Sequence, residues 1–213
     1  MKAFTQGITK QEFLTEIYKH RDTDAFIKGA YKNTDKEYFQ GCAVGCSLKS
    51  VADIKKIQIK TDNHLEYETH LGVPEWLARL EDMLFENLPN ELSKTWPVRF
   101  SEAINEGSDL DKIKAPFMIY LMEENLKSIY SVVYDADKFK DVKNAIDLTR
   151  SAINQMIVAH KSGDENQLSA ASSAASSAAE SAASAASSAA RSAWSAAYIK
   201  HSEKLLELIR GCR

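Results

Sequence analysis

The chain has 213 residues, 44% of them hydrophobic, with a formal net charge of −3 at pH 7. That is enough apolar material for one large domain or two small ones and excludes a globally disordered chain, while the slightly acidic balance leaves no basic footprint and disfavours nucleic acid as a partner. The N-terminus, MKAFTQGITKQEF, lacks the charged-then-apolar pattern of a secretory leader, and the longest apolar run, 115–122, is far too short to span a bilayer, so no membrane association and a cytoplasmic location are expected.

In chain order, Thr9 with Glu12 forms a capping box, and Phe13, Leu14, Ile17 and Tyr18 follow at helical spacing, so a first helix should begin near Lys10. It should break near 21–23, resume through Phe26 and Ile27, and meet a turn at 33–36. The segment GCAVGC (41–46) repeats Gly and Cys at i, i+4, which fits either a tightly packed helix or a loop needing glycine conformations. IKKIQIK (54–60) alternates weakly and predicts one short strand. Asp62 should cap a short helix over 65–71, closed by Gly72, with Pro74 as the first residue of the next.

That next helix, 74–88, carries the stripe Leu77, Leu80, Leu84 and Leu88 with Trp76 and Phe85 beside it. Pro97 opens another through Phe100, Ala103 and Ile104, closed by Gly107, and Pro116 should kink or split a helix over 109–133. Asp135 or Asp137 should cap a longer helix with Phe139, Val142, Ile146, Thr149, Ile153, Met156, Ile157 and His160 on one face. Lys161-Ser162-Gly163 then turns the chain into the tract 169–198, where Ala pairs recur every three to four residues without Gly or Pro. Alanine is the best helix former, so this is read as a helix rather than a linker, capped by Asp164 with Gln167 and ended by Gly211. Trp194, Tyr198, Leu205, Leu206, Leu208 and Ile209 add the bulk that the tract lacks. Unbroken, it would run about 70 Å against about 45 Å for a compact chain of this length, so it must bend, protrude or pair with another subunit. The expected architecture is an all-α or nearly all-α helical bundle, with an N-terminal helical region (1–135) and an antiparallel C-terminal helical hairpin (136–213) packed as one unit.

Three constellations carry candidate chemistry. Cys42 and Cys46 with His64 and His70 offer four zinc donors, although C-x3-C is a looser signal than C-x2-C and buried structural thiols are the simpler reading. The three cysteines make no disulfide framework. His20, Asp22, Asp24, Lys28 and Tyr31 with His64, Tyr67 and Glu68 could line a small-ligand pocket suited to acid–base work, against the plainer reading of a solvated surface. Glu81, Asp82 and Glu86 read as a solvated face, with a cation site as the alternative. The sequence contains no Gly-rich phosphate loop, nucleophile elbow or HExxH.

The segments KGAYKN, GCAVGCSL, HLEYE and LGVPEWLARLEDMLFENLP, followed by Trp96-Pro97, together resemble an uncharacterised family of phage and bacterial genomes whose members also end in Ala-rich helices. The tail is similar to some toxin-immunity-type proteins. The resemblance spans residues 28–100 and the Ala-rich tract. It implies a phage or mobile-element setting and a joint role for GCAVGC and LEDMLFE, and it assigns no catalytic residue.

The expected function is non-enzymatic: a binding or interaction protein, of the inhibitor or immunity type, that occupies a protein partner or a small ligand and needs no cofactor. The alternatives are a metal-dependent enzyme or ligand-binding protein using the Cys/His/Tyr/Glu pocket, with zinc as the metal, and a structural homo-oligomer built on the Ala stripe.

Overall fold

The computed structural model describes residues 1–33, 38–130, 140–183 and 190–213. The fold is all-α, as expected: the described residues form ten α-helices, one short 3-10 turn and two isolated β-bridges. None of the helices is long and apolar enough to cross a membrane. The chain divides into two compact units at positions other than 135/136: the first comprises Met1–Ile113 with Ser195–Arg213, the second Lys114–Trp194. The end of the expected C-terminal hairpin therefore belongs with the N-terminal helices, because Leu205, Leu206 and Ile209 are fully buried there and Asn105 donates to the carbonyls of Arg210 and Cys212.

In the first unit, α1 (Lys10–Asp22) starts at the expected capping box, with Thr9 N–H donating to Glu12 and Glu12 N–H to Thr9 Oγ1. It does not resume through Phe26 and Ile27. Asp24 adopts φ +50° and turns the chain, so that Phe26 forms a parallel bridge with Gly41. Gly41 N–H donates to Ala25 and Ile27 N–H to Gly41, at 3.0 and 2.9 Å.

Next, α2 (Ala43–Lys55) absorbs the start of the expected strand and ends at Lys56, whose left-handed conformation reverses the chain. Residues 57–60 find no strand partner among the described residues. Helix α3 (Leu65–Leu71) begins at His64 rather than being capped by Asp62, and ends at Gly72, where a Cβ would lie 2.0 Å from the Lys2 carbonyl.

Helix α4 (Glu75–Asn87) has Pro74 as its N-cap and buries Leu77, Ala78, Glu81, Leu84 and Phe85. After α5 (Asn90–Ser93), α6 (Trp96–Ala103) ends at Ile104, before Gly107, whose N–H donates to Ala3 instead. Trp96, Phe85, Phe100, Leu48 and Ile17 fill the core that these helices enclose.

The second unit contains α7 (Lys114–Tyr130), α8 (Lys140–Ser162) and α9 (Glu165–Ala183), with α8 packed on both of the others. Pro116 falls in the first turn of α7, where its missing N–H has no carbonyl to lose, so the 3-10 turn Leu110–Ile113 precedes it and no mid-helix kink arises. Met122, Leu126 and Ile157 form the core of this unit, with Met118, Ile153 and Met156 against them.

Gly163 (φ +69°) makes the turn between α8 and α9, and Asp164 Oδ1 accepts from the N–H groups of Asn166 and Gln167. The expected caps at Asp135 and Asp137 and residues 184–189, on which the continuity of the long helix depends, lie outside the described residues. The last helix, α10 (Ala190–Gly211), contains Gly211 as its final residue rather than ending before it in a left-handed cap.

Candidate ligand site

The candidate site lies where the start of α2, the start of α3 and the middle of α4 meet, under the segment 25–31. Its placement follows from local sequence. On α4, residues 77, 81, 84 and 88 recur at helical spacing and face the core, which puts Glu81 where an aliphatic residue is expected. Glu81 is fully buried, and the side chain of Asp82, next around the helix, is 15% exposed. The expected solvated acidic face is thus a buried edge.

Opposite α4 stands Cys42, the N-cap of α2, whose Sγ accepts from Gly45 N–H at 3.4 Å. The glycine repeat works as a bearing surface for backbone: a Cβ at Gly41 or Gly45 would come within 2.4 or 2.0 Å of the Tyr31 carbonyl oxygen. With Tyr31 seated this way, its ring meets His64 edge-on at 5.8 Å. His64 Nε2 lies 3.3 Å from Asp82 Oδ2. Glu86, one turn beyond Asp82, accepts from Gly29 N–H on both oxygens at 3.0 Å.

The electrostatics separate these groups. Burial pushes the Glu81 carboxyl up to about 8 against the pull of Tyr67, with the Asp82 charge adding to the rise, so Glu81 is neutral at pH 7. Burial also acts to raise Asp82, but its contact with His64 and the polar hydrogens of Cys42 and Tyr31 close by outweigh it and hold this carboxylate below the usual range. Burial followed by the Asp82 charge raises Tyr31 to about 12 and lifts the Cys42 thiol well above its ordinary value. Asp82 is therefore an ionised carboxylate beside the protonated Tyr31 hydroxyl and Cys42 thiol.

Behind it, Ser47, Tyr67 and Glu81 lie within one another's electrostatic reach. None of Ser47 Oγ, Tyr67 Oη, the two Glu81 oxygens and Asp82 Oδ1 has a partner at hydrogen-bonding geometry among the described residues.

Tyr31, Cys42, His64, Tyr67, Glu81 and Asp82 are thus brought together, with Glu86 beside them. The other sequence candidates serve elsewhere. Cys46 Sγ donates to the carbonyls of Gly41 and Ala25, and His70 lies between Lys55 and Glu66, so the expected zinc quartet of Cys42, Cys46, His64 and His70 does not form. Its physical reason is that Cys42 caps the helix while Cys46 points back to the bridge that precedes it.

His20 packs between Phe26 and Phe39, and Asp24 pairs with Lys94. Asp22 pairs with Arg21, Lys28 donates to the Leu88 carbonyl, and Glu68 accepts from Glu75 N–H. Ser47 was not anticipated, and no local pattern marks it.

Among the described residues, Cys42, Asp82 and Glu86 form the group whose donor atoms converge enough to hold a metal ion, all within 4.8 Å of one another. Comparison with family models, with curated proteins and with solved structures gives no match to this chain.

Proposed function

We propose that this chain is a non-enzymatic binding protein whose first unit holds a small ligand at the cluster of Tyr31, Cys42, His64, Tyr67, Glu81 and Asp82. The observation that carries this reading is the set of buried oxygens on Ser47, Tyr67, Glu81 and Asp82 that have no partner at hydrogen-bonding geometry among the described residues. Leaving a buried polar atom unpaired costs about 1–3 kcal/mol, against about 5–15 kcal/mol for the net stability of a whole domain. A leucine at position 81 would continue the apolar face of α4 without that cost, so the acid is read as serving a ligand.

The ionised Asp82 and the acceptor oxygens beside it suit a ligand that donates hydrogen bonds or carries positive charge. GCAVGC and LEDMLFE, the two segments linked by the family resemblance, meet at this place, and the biological setting proposed with it is that of a phage or mobile-element factor of the inhibitor or immunity type. A homo-oligomer built on the Ala stripe draws less support, because Ala171 on α9 is already buried within its own chain.

Native mass spectrometry of the freshly purified full chain tests the reading. The expected result is a retained mass, lost on denaturation and absent from Glu81→Gln and Asp82→Asn chains of unchanged helical content. A bare polypeptide mass for the wild type, or the same retained mass in both variants, overturns it.

A further inference from the structure

Resting on that reading, we infer that Cys42, Asp82 and Glu86 form a site for one transition-metal dication of the zinc class, with His64 positioning the Asp82 carboxylate. The donor set is the first reason. A thiol beside two carboxylates suits a borderline ion that takes three protein ligands and a water, whereas magnesium and calcium require six or more oxygens.

Geometry is the second. The sulfur of Cys42 and the carboxylate oxygens of Asp82 and Glu86 lie within 4.8 Å of one another. His64 Nε2 stands 3.3 Å from Asp82 Oδ2, outside that converging set, and so orients the carboxylate. Asp82 and Glu86 share one face of α4, Cys42 is fixed by capping α2, and His64 by opening α3. These side chains are thus held by three separate helices.

An independent observation points to a ligand at the same place. The Tyr67 hydroxyl and the Glu81 carboxyl are each at least 99% buried and, although they interact with each other, neither has a partner at full hydrogen-bonding geometry among the described residues. Tyr67 lies in electrostatic reach of both Cys42 and Glu81. Such groups orient and tune the ligands of a metal by hydrogen bonding from behind. Glu86 is already oriented, by Gly29 N–H on both its oxygens.

On binding, a bond forms between Cys42 Sγ and the metal while the thiol S–H bond breaks and its proton leaves to solvent. A thiolate and two carboxylates around a dication leave one net negative charge, which Lys28, beside Glu86, offsets.

The test is titration of Co2+ into the EDTA-treated full chain, followed by competition with Zn2+. The expected result is uptake of one Co2+ per chain, with a near-ultraviolet thiolate-to-cobalt band that Zn2+ abolishes. Cys42→Ser keeps a capping oxygen for α2 and loses the band, whereas Cys46→Ser and Cys212→Ser keep it. Glu86→Gln weakens Zn2+ binding by about tenfold or more.

A band that survives Cys42→Ser overturns the assignment. Uptake of neither ion, with a metal-free mass still retained by the native chain, overturns the metal and leaves the binding reading standing. Uptake of neither ion and no retained mass overturns both.

Discussion

The two compact units are both helical, yet they solve burial in opposite ways. In the first, large side chains such as Trp96, Phe85 and Phe100 hold short helices together, and polar groups are sealed among them. In the second, long helices meet through small residues, Ala152, Ala159 and Ala171, and a modest cluster of Met122, Leu126 and Ile157. Bulky side chains on short, differently directed helices leave irregular interior space that polar groups can occupy, whereas the Ala-lined contact of α8 with α9 leaves an open cleft whose lining, Ser151, Asn154, Gln155 and Gln167 among it, contains no ionisable side chain. That difference explains why the candidate chemistry gathers in one unit and why the other, at twice the helix length, offers none among its described residues.

The sharpest way to break this contrast is to cut one core and watch the other. Trp96→Ala should destabilise the first unit by about 3–5 kcal/mol, since the indole is fully buried and its Nε1–H donates to the Glu81 carbonyl. Ile157→Ala should destabilise the second by about 2 kcal/mol, the low end for such a truncation, because Ile157 retains some exposure. Hydrogen exchange resolves the two. Each substitution should raise exchange within its own unit and leave the other unchanged, whereas a rise throughout the chain would show that both units open together.

A smaller effect of opposite sign is expected at the site itself. Glu81→Leu should stabilise the EDTA-treated chain by about 1–3 kcal/mol, because it replaces two buried, unpartnered oxygens with an aliphatic group on an aliphatic face. The sign with pH follows from Glu81 being raised to about 8. The folded state binds a proton that the unfolded chain releases above the ordinary carboxyl range, so wild-type stability falls as pH rises from about 5 to about 8. The advantage of the leucine variant should grow over that interval. Urea unfolding at both ends of it checks this, and a variant less stable than wild type would mean that the Glu81 oxygens serve the fold.

The site was legible in parts. Thr9 and Glu12 announced α1 because a capping box is complete within four residues, and Asp164 announced α9 because its side chain alone caps the N–H groups of Asn166 and Gln167. Glu81 was misread: the expected stripe took Leu80 as its interior residue with Leu77, Leu84 and Leu88, whereas Leu80 is half-buried and Glu81 fully buried, and the acidic neighbours Asp82 and Glu86 favoured a solvated face. The cysteine pair could not be resolved locally. Whether Cys42 lies inside α2 or caps it depends on Gly41 bridging to Phe26, a pairing between segments fifteen residues apart that periodicity does not encode. The same bridge displaced the expected second helix at Phe26 and Ile27. Convergence of Tyr31, His64 and Asp82 likewise depends on how three helices cross.

The smallest prediction compares the two units through their helix caps. Thr9→Ala removes the acceptor for Glu12 N–H, and Asp164→Ala removes the acceptor for the N–H groups of Asn166 and Gln167. Either change should cost about 1 kcal/mol in helix stability. In α1 the loss should be hard to see locally, because Phe13, Leu14 and Ile17 anchor the helix in the core. Helix α9 begins with an exposed turn and has Ala171 as its buried contact near that end, so its stability depends more on its own cap. Amide exchange in the first turns of α9 should therefore rise about fivefold in Asp164→Ala, the factor that 1 kcal/mol implies, while α1 in Thr9→Ala rises less. Equal responses would show that packing on α8 holds α9 as firmly as the aromatic core holds α1.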